Sequence, residues 1–136
     1  MIVVSDPSGI ERIGHPGIRE LVRQRLIQVS AGEPHSPDRH GQIIVAEPGD
    51  AAERLEGACG CALLTDPWDD VPFGHPDFTP SCEVLEEHPD CFELGFVLND
   101  DGFFVALFVP KADGMDPRLL AMCRQFATPA NDPAPP

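Results

Sequence analysis

Five cysteines and five histidines are the residues of this chain best equipped to hold a metal or move a proton. Cys59-Gly60-Cys61, Cys82 and Cys91, with His88 between the last two, supply the sulfur and imidazole ligands that tetrahedral zinc takes. Their spacing does not follow the common zinc patterns. Cys-x-Cys is tight, and Cys82 to Cys91 spans a predicted helix and its end. The competing reading makes Cys61 and Cys91 small apolar residues at the start of buried strands. Cys123 joins them as a core residue at helical spacing from Leu119 and Phe126. An activated thiolate at Cys59 or Cys61 would need an electropositive setting, and residues 55–110 contain no lysine or arginine. No metal ligand, no cofactor and no catalytic residue are assigned on this basis.

His15 and His75 form a second constellation. Val3-Val4-Ser5-Asp6-Pro7 matches Leu63-Leu64-Thr65-Asp66-Pro67, and Ile13-Gly14-His15-Pro16 matches Phe73-Gly74-His75-Pro76 at the same offset of 60. An internal duplication, with halves 1–56 and 61–127, would set each histidine near an aspartate across a pseudo-twofold axis. Such a pair can do acid–base work near neutral pH. The plainer reading is that Gly-His-Pro is turn punctuation that opens a helix. Standard catalytic signatures are absent: there is no glycine-rich phosphate loop, no Gly-x-Ser-x-Gly elbow and no His-Glu-x-x-His.

The loop Asp66 to Phe78 carries the only tryptophan, Trp68, with Phe73, Phe78, His75 and the aspartates Asp66, Asp69, Asp70 and Asp77. Connections this long in a small domain are functional or disordered, and the aromatic residues argue for function. An aromatic anchor ringed by carboxylates suits a basic partner. The alternative is that Trp68, Phe73 and Phe78 pack down as a lid while the aspartates only solvate the loop.

Charge points the same way. Residues 55–110 hold twelve carboxylates and carry −12 of the chain's −14. A field of this sign repels nucleic acid and anionic lipid and attracts basic surfaces. Its charges fall on the 66–78 loop, on a helix bearing Glu83, Glu86 and Glu87, and on a hairpin tip at Asp100-Asp101. Arg12, Arg19, Arg23 and Arg25 cluster in or before the first long helix, where they pair with the acidic half, within one chain or across a dimer. A basic nucleic-acid patch is disfavoured by the overall charge.

These groups need elements to position them. Ile2–Val4 reads as a strand, stopped by Ser5-Asp6-Pro7. Pro16 opens a helix whose Ile18, Leu21, Val22, Leu26 and Val29 recur at helical spacing. Residues 33–41 form a polar loop and Ile43–Val45 a second strand. Asp50-Ala51-Ala52-Glu53 has the form of a capping box for a short helix. A third strand covers Cys61–Thr65, and Thr79-Pro80 starts a helix that ends near His88 because Pro89 follows. Segments 92–98 and 103–109 are the clearest strands. They are apolar at nearly every position, as expected for a central hairpin covered on both faces. Asp116-Pro117 opens a last helix, and residues 128–136, with four prolines, read as a disordered tail.

At 136 residues the chain is long enough for one self-sufficient domain. The expected fold is α+β: a single domain over residues 1–127 with a five-stranded mixed sheet, a central antiparallel hairpin and four helices. The N-terminal residues lack a signal-peptide pattern and no apolar run is long enough to span a bilayer. An odd cysteine count fits reduced thiols, so the expected setting is a bacterial cytoplasm. The functional expectation is a non-enzymatic acidic protein-binding module that neutralises a basic partner, as immunity or antirestriction proteins do. The expected contact set is Trp68, Asp69, Asp70, Phe73, His75, Asp77, Glu86, Glu87, Asp100 and Asp101. The alternative is a small enzyme or metal-binding protein using His15 or His75 with nearby Asp or Cys. A third reading is a homodimer packed through the apolar hairpin faces.

Overall fold

The computed structural model describes residues 1–4, 7–31, 42–65, 70–97 and 104–129. In chain order these form β1 (Ile2–Val4), a 3₁₀ helix (Pro7–Arg12), α1 (Pro16–Ala31), β2 (Gln42–Val45), α2 (Ala52–Cys59), β3 (Val84–Glu87), β4 (Cys91–Val97), β5 (Phe104–Pro110), α3 (Pro117–Phe126) and the two-residue β6 (Thr128–Pro129). The sheet runs β1-β2-β5-β4-β3-β6. It is mixed: β2 lies parallel to β5 and β6 parallel to β3, whereas β1–β2, β5–β4 and β4–β3 are antiparallel.

The hairpin 92–109 is the centre, as its composition requires. Val105, Leu107 and Val109 of β5 face one core with Phe92, Leu94 and Phe96 of β4, under α2 and α3. Ala106 and Phe108 face the other with Ile43 and Val45, under α1 and the 3₁₀ helix. A strand covered on both sides has no solvent face, so its sequence shows no alternation. The same covering occupies the apolar hairpin faces that a homodimer would have used. No helix among the described residues is long and apolar enough to cross a membrane.

Three local expectations need correction. The first is the capping box. Ala51, not Asp50, is the N-cap of α2, and it offers no side-chain hydrogen bond. Asp50 is buried and accepts the Glu47 N–H at 2.9 Å. The cap of α2 comes from far along the chain, because Asp116 Oδ2 accepts the Ala52 N–H at 2.9 Å. Asp116 Oδ1 also accepts the Arg118 N–H at 3.0 Å as the N-cap of α3, with Pro117 behind it as expected. One carboxylate thus fixes the starts of two helices. Hydrogen bonding from the Arg118 guanidinium, outweighing burial and helped by these N–H groups, holds it down at about 2.

The second is the strand at 61–65, which does not form. Glu56 of α2 reaches over with Oε2, 2.7 Å from Leu63 N and 3.3 Å from Leu64 N. A side chain takes the donors that a neighbouring strand would have taken. Only an isolated bridge, Thr65 to Pro72, remains of the expected ladder.

The third is the helix at 79–88. This stretch instead yields β3, which pairs with β4 from Val84↔Gly95 to Glu87↔Phe92. The two-residue turn Pro89-Asp90 closes the hairpin, with His88 N–H donating to Cys91 O at 2.8 Å. Proline suits the first turn position because its φ is already set. Pairing with a buried strand outweighs the weak helix preference of a short segment. The described helices are therefore α1, α2 and α3, without a fourth in this position. The proposed halves also differ: the first has a strand and a 16-residue helix where the second has neither.

Candidate functional site

The turn to β3 redistributes the acidic residues. On a helix Glu83, Glu86 and Glu87 would share a face. On a strand neighbours alternate. Glu87, opposite Phe92, points to the α2/α3 side, where Lys111 Nζ lies 2.7 Å from its Oε2 and stacks 5.0 Å from the Phe92 ring centroid. Glu86, opposite Glu93, points to the other side. The expected contact pair Glu86/Glu87 is therefore split, and Glu87 is already neutralised.

Glu86 opens onto a polar cluster. Glu93 is 4% exposed, more deeply buried than any other charged residue among those described. Arg25 of α1 grips it with two hydrogen bonds, Nε to Oε2 and NH2 to Oε1, the latter 2.8 Å long. His88 Nε2 lies 2.9 Å from the same Oε1. Burying a carboxylate is tolerable only with such partners. This is the expected pairing of a helix-1 arginine with the acidic half. Ligand atoms of Glu86, His88 and Glu93 lie within 4.8 Å of one another, the spacing of a metal site. The guanidinium on Glu93 already supplies the positive charge there, and a second cation would be repelled.

Along the outer side of β3 runs a groove of about 410 Å³, lined by Thr79, Pro80, Cys82, Glu83, Val84, Leu85, Glu86, Phe126 and Thr128. β6 pairs with Glu86 and Glu87 only, so Val84 and Leu85 have no strand beside them on that edge among the described residues. Val84 is 40% exposed, the only large hydrophobic residue so exposed among those described. Glu83 and Glu86 flank it, and neither has a Lys or Arg partner among the described residues. Sequence reasoning missed Val84, since an exposed valine is invisible until the strand and its open edge are known.

The 70–78 part of the expected loop takes the lid geometry. Phe73 stacks edge-on to Phe78 at 5.5 Å, and Phe78 meets Phe126 of α3 at 5.6 Å. Phe78 is buried and Phe73 partly so, leaving neither aromatic free as an anchor. Asp70 sits at positive φ, 57°, and is exposed, as is Asp77. Trp68, Asp69, Asp100 and Asp101 lie outside the described residues.

His15 and His75 share one local device. His15 Nδ1 accepts the Gly17 N–H at 3.0 Å and the Ile18 N–H at 3.3 Å, capping α1. His75 Nδ1 accepts the Asp77 N–H at 3.1 Å. Each Gly-His-Pro is thus a turn closed by its own imidazole. The two histidines belong to elements packed on opposite faces of the sheet and do not face each other; Asp6 and Asp66 lie outside the described residues. His15 instead turns Nε2 toward Asp90, 3.7 Å from Oδ1. It lines a cleft of about 300 Å³ at the ends of β2 and β5, with Arg12, Glu47 and Lys111. Gly17 admits Asp90, since a Cβ there would stand 2.6 Å from Oδ2.

The cysteines show no reactive character. Burial pushes Cys59 and Cys91 up to about 12, and Cys82 to about 11, so they are thiols at neutral pH. Cys91 begins a buried strand, as expected. Cys61 does not, and lies half-buried in the irregular segment. No family model, curated protein or solved structure matches this chain.

Proposed function

We propose that this chain is a non-enzymatic acidic module that binds a basic protein partner along the open edge of β3. The observation that carries the reading is Val84, an exposed apolar side chain flanked in sequence by Glu83 and Glu86, which have no Lys or Arg partner among the described residues, on a groove beside a strand whose edge is only partly paired among them. Interfaces are built in this way, with an apolar centre and a polar rim. An extended segment bearing Lys or Arg would add main-chain hydrogen bonds at the strand edge and place cations by the glutamates. The chain's −14 charge would speed the encounter. In its concrete form the module masks a basic toxin, nuclease or DNA-binding protein in a reducing cytoplasm. The proposal keeps the exposed Asp70 and Asp77, with Trp68, Asp69, Asp100 and Asp101 from outside the described residues, as further candidate contacts.

The test is a pull-down at low and high salt, followed by affinity measurement on the captured protein. A basic partner is expected, released by salt. Glu83→Lys with Glu86→Lys should weaken binding at least tenfold, and Val84→Ser should weaken it at both salt concentrations. Retention of nothing basic, or unchanged capture by all three substitutions, sinks the reading.

A further inference from the structure

The parallel pair β2–β5 lies inside the sheet, with helices packed on both of its faces. In open sheets with parallel strands, ligands enter the crevice beyond the carboxyl ends of those strands. Here the ends are Val45 and Pro110, and the cleft of about 300 Å³ opens where they meet the start of α1. That volume is at the lower end of small-molecule sites, which run from about 300 to 1,000 Å³. The floor is aliphatic. Ile2, Ile13, Ile18 and Val45 line it, and all four belong to the buried core on the α1 side.

The titratable side chains around this floor are not equivalent. Lys111 is occupied by Glu87, and Glu47 by the amino group of Met1. His15 Nδ1 accepts the Gly17 and Ile18 N–H groups, so the proton of its neutral ring is on Nε2, the atom that faces Asp90. The ring therefore has no free acceptor to serve as a general base. The same two bonds close the helix start, which offers no amides at Gly17 and Ile18 to an anion. Arg12 and Asp90 remain. Arg12 ends the 3₁₀ helix, is exposed, and makes no hydrogen bond or ion pair among the described residues. The Asp90 carboxylate has only His15 near it among them, at 3.7 Å, beyond hydrogen-bond length.

Both charges stand on fixed backbone. Arg19 donates twice to Ile13 O, at 3.0 and 2.7 Å, and so holds the bend that follows Arg12. The Lys111 N–H donates to Asp90 O at 2.9 Å, tying the Pro89-Asp90 turn to the end of β5. Gly17 leaves the room that the Asp90 carboxylate fills.

We propose that this cleft binds a small α-amino acid with an aliphatic side chain. The ligand carboxylate meets the Arg12 guanidinium, whose planar fork suits it. The ligand ammonium meets Asp90, and the side chain lies on the isoleucine and valine floor. A cation and an anion without hydrogen-bonded partners, set on one apolar cleft, match a zwitterion. A simple anion would be repelled by Asp90 and Glu47, and a simple cation by Arg12 and Lys111. His15 and Gly17 are positioning residues, acting through Asp90. Nothing here depends on the partner-binding reading, which uses the edge of β3.

The experiment is calorimetric and NMR titration of the full chain with L-leucine, L-isoleucine and L-valine. Two controls accompany them: isocaproate, which is leucine without its ammonium, and isoamylamine, which is leucine without its carboxylate. At least one of the amino acids should bind once per chain, shift the amide signals of Ile13 and Val45, and bind about tenfold or more tightly than either control. Arg12→Gln should remove the advantage over isoamylamine, and Asp90→Asn the advantage over isocaproate. Gly17→Ala should act in the direction of Asp90→Asn. Arg12 and Asp90 are exposed, so both variants should keep the parent circular dichroism spectrum. Binding of none of the three amino acids, equal affinity for either control, or unchanged binding in Arg12→Gln and Asp90→Asn overturns the proposal.

Discussion

The β4–β5 hairpin and the segment 60–83 bury residues in the same core yet satisfy their backbones in opposite ways. In the hairpin, register runs unbroken from Cys91↔Pro110 to Val97↔Phe104, and main chain pairs with main chain. In the segment, side chains do that work: Glu56 takes the Leu63 and Leu64 donors, Ser81 satisfies Ala62 O, and His75 takes the Asp77 N–H. A ladder spreads its stability over many equivalent bonds. A side-chain-held segment concentrates it in a few bonds that one substitution removes. The hairpin should thus fail globally when its packing is breached, and the segment locally when a tether is cut.

The largest effect should come from the ladder's packing. Phe108 is fully buried on the α1 side, and Phe108→Ala should cost about 3–5 kcal/mol in denaturant unfolding. A loss below 1 kcal/mol would mean that the hairpin is not the centre of stability. Arg25→Ala strands the buried Glu93 carboxylate and should cost on the order of 3 kcal/mol. Restoration by the added change Glu93→Leu would show that the uncompensated charge was responsible.

Asp116 serves both helices that flank the segment, and Asp116→Ala should cost about 2 kcal/mol through two lost caps. Its folded value of about 2 lies below the ordinary 3.8, so its stabilisation is complete above roughly pH 4. It is lost as the pH falls through 2. Acid unfolding of Asp116→Asn should lack that component, and an unchanged acid limb would contradict the double cap.

Glu56→Ala should cost about 1–2 kcal/mol by orphaning two donors. Hydrogen exchange at Leu63 and Leu64 should quicken tenfold or more while hairpin amides hold; equal quickening in both would erase the contrast between the regions. Smallest is Asp77→Asn on the exposed loop, expected within about 0.5 kcal/mol of the parent. It measures the background against which the tethers are judged.

Composition along the chain was enough to place β1, α1, β2, the central hairpin and α3. Pro16 and Asp116-Pro117 mark their helix starts, and the doubly apolar runs of 92–109 have only one stable environment. Each of these rests on local preference and burial agreeing. The acidic block was equally legible as charge, but not as geometry. Whether Glu86 and Glu87 share a face depends on helix or strand, and pairing with β4 across the Pro89-Asp90 turn prevailed over the helix-start signal of Thr79-Pro80. The strand lost at 61–65 and the cap supplied by Asp116 have the same origin, a side chain from elsewhere meeting a backbone group. The sequence by itself therefore determined how much would be buried, where the charge lies and which segments would form the centre. Only the tertiary structure decided which carboxylates lack a basic partner among the described residues and that Val84 is exposed beside them. Pairwise contact between distant residues is a property of the closed chain and leaves no periodic trace in its order.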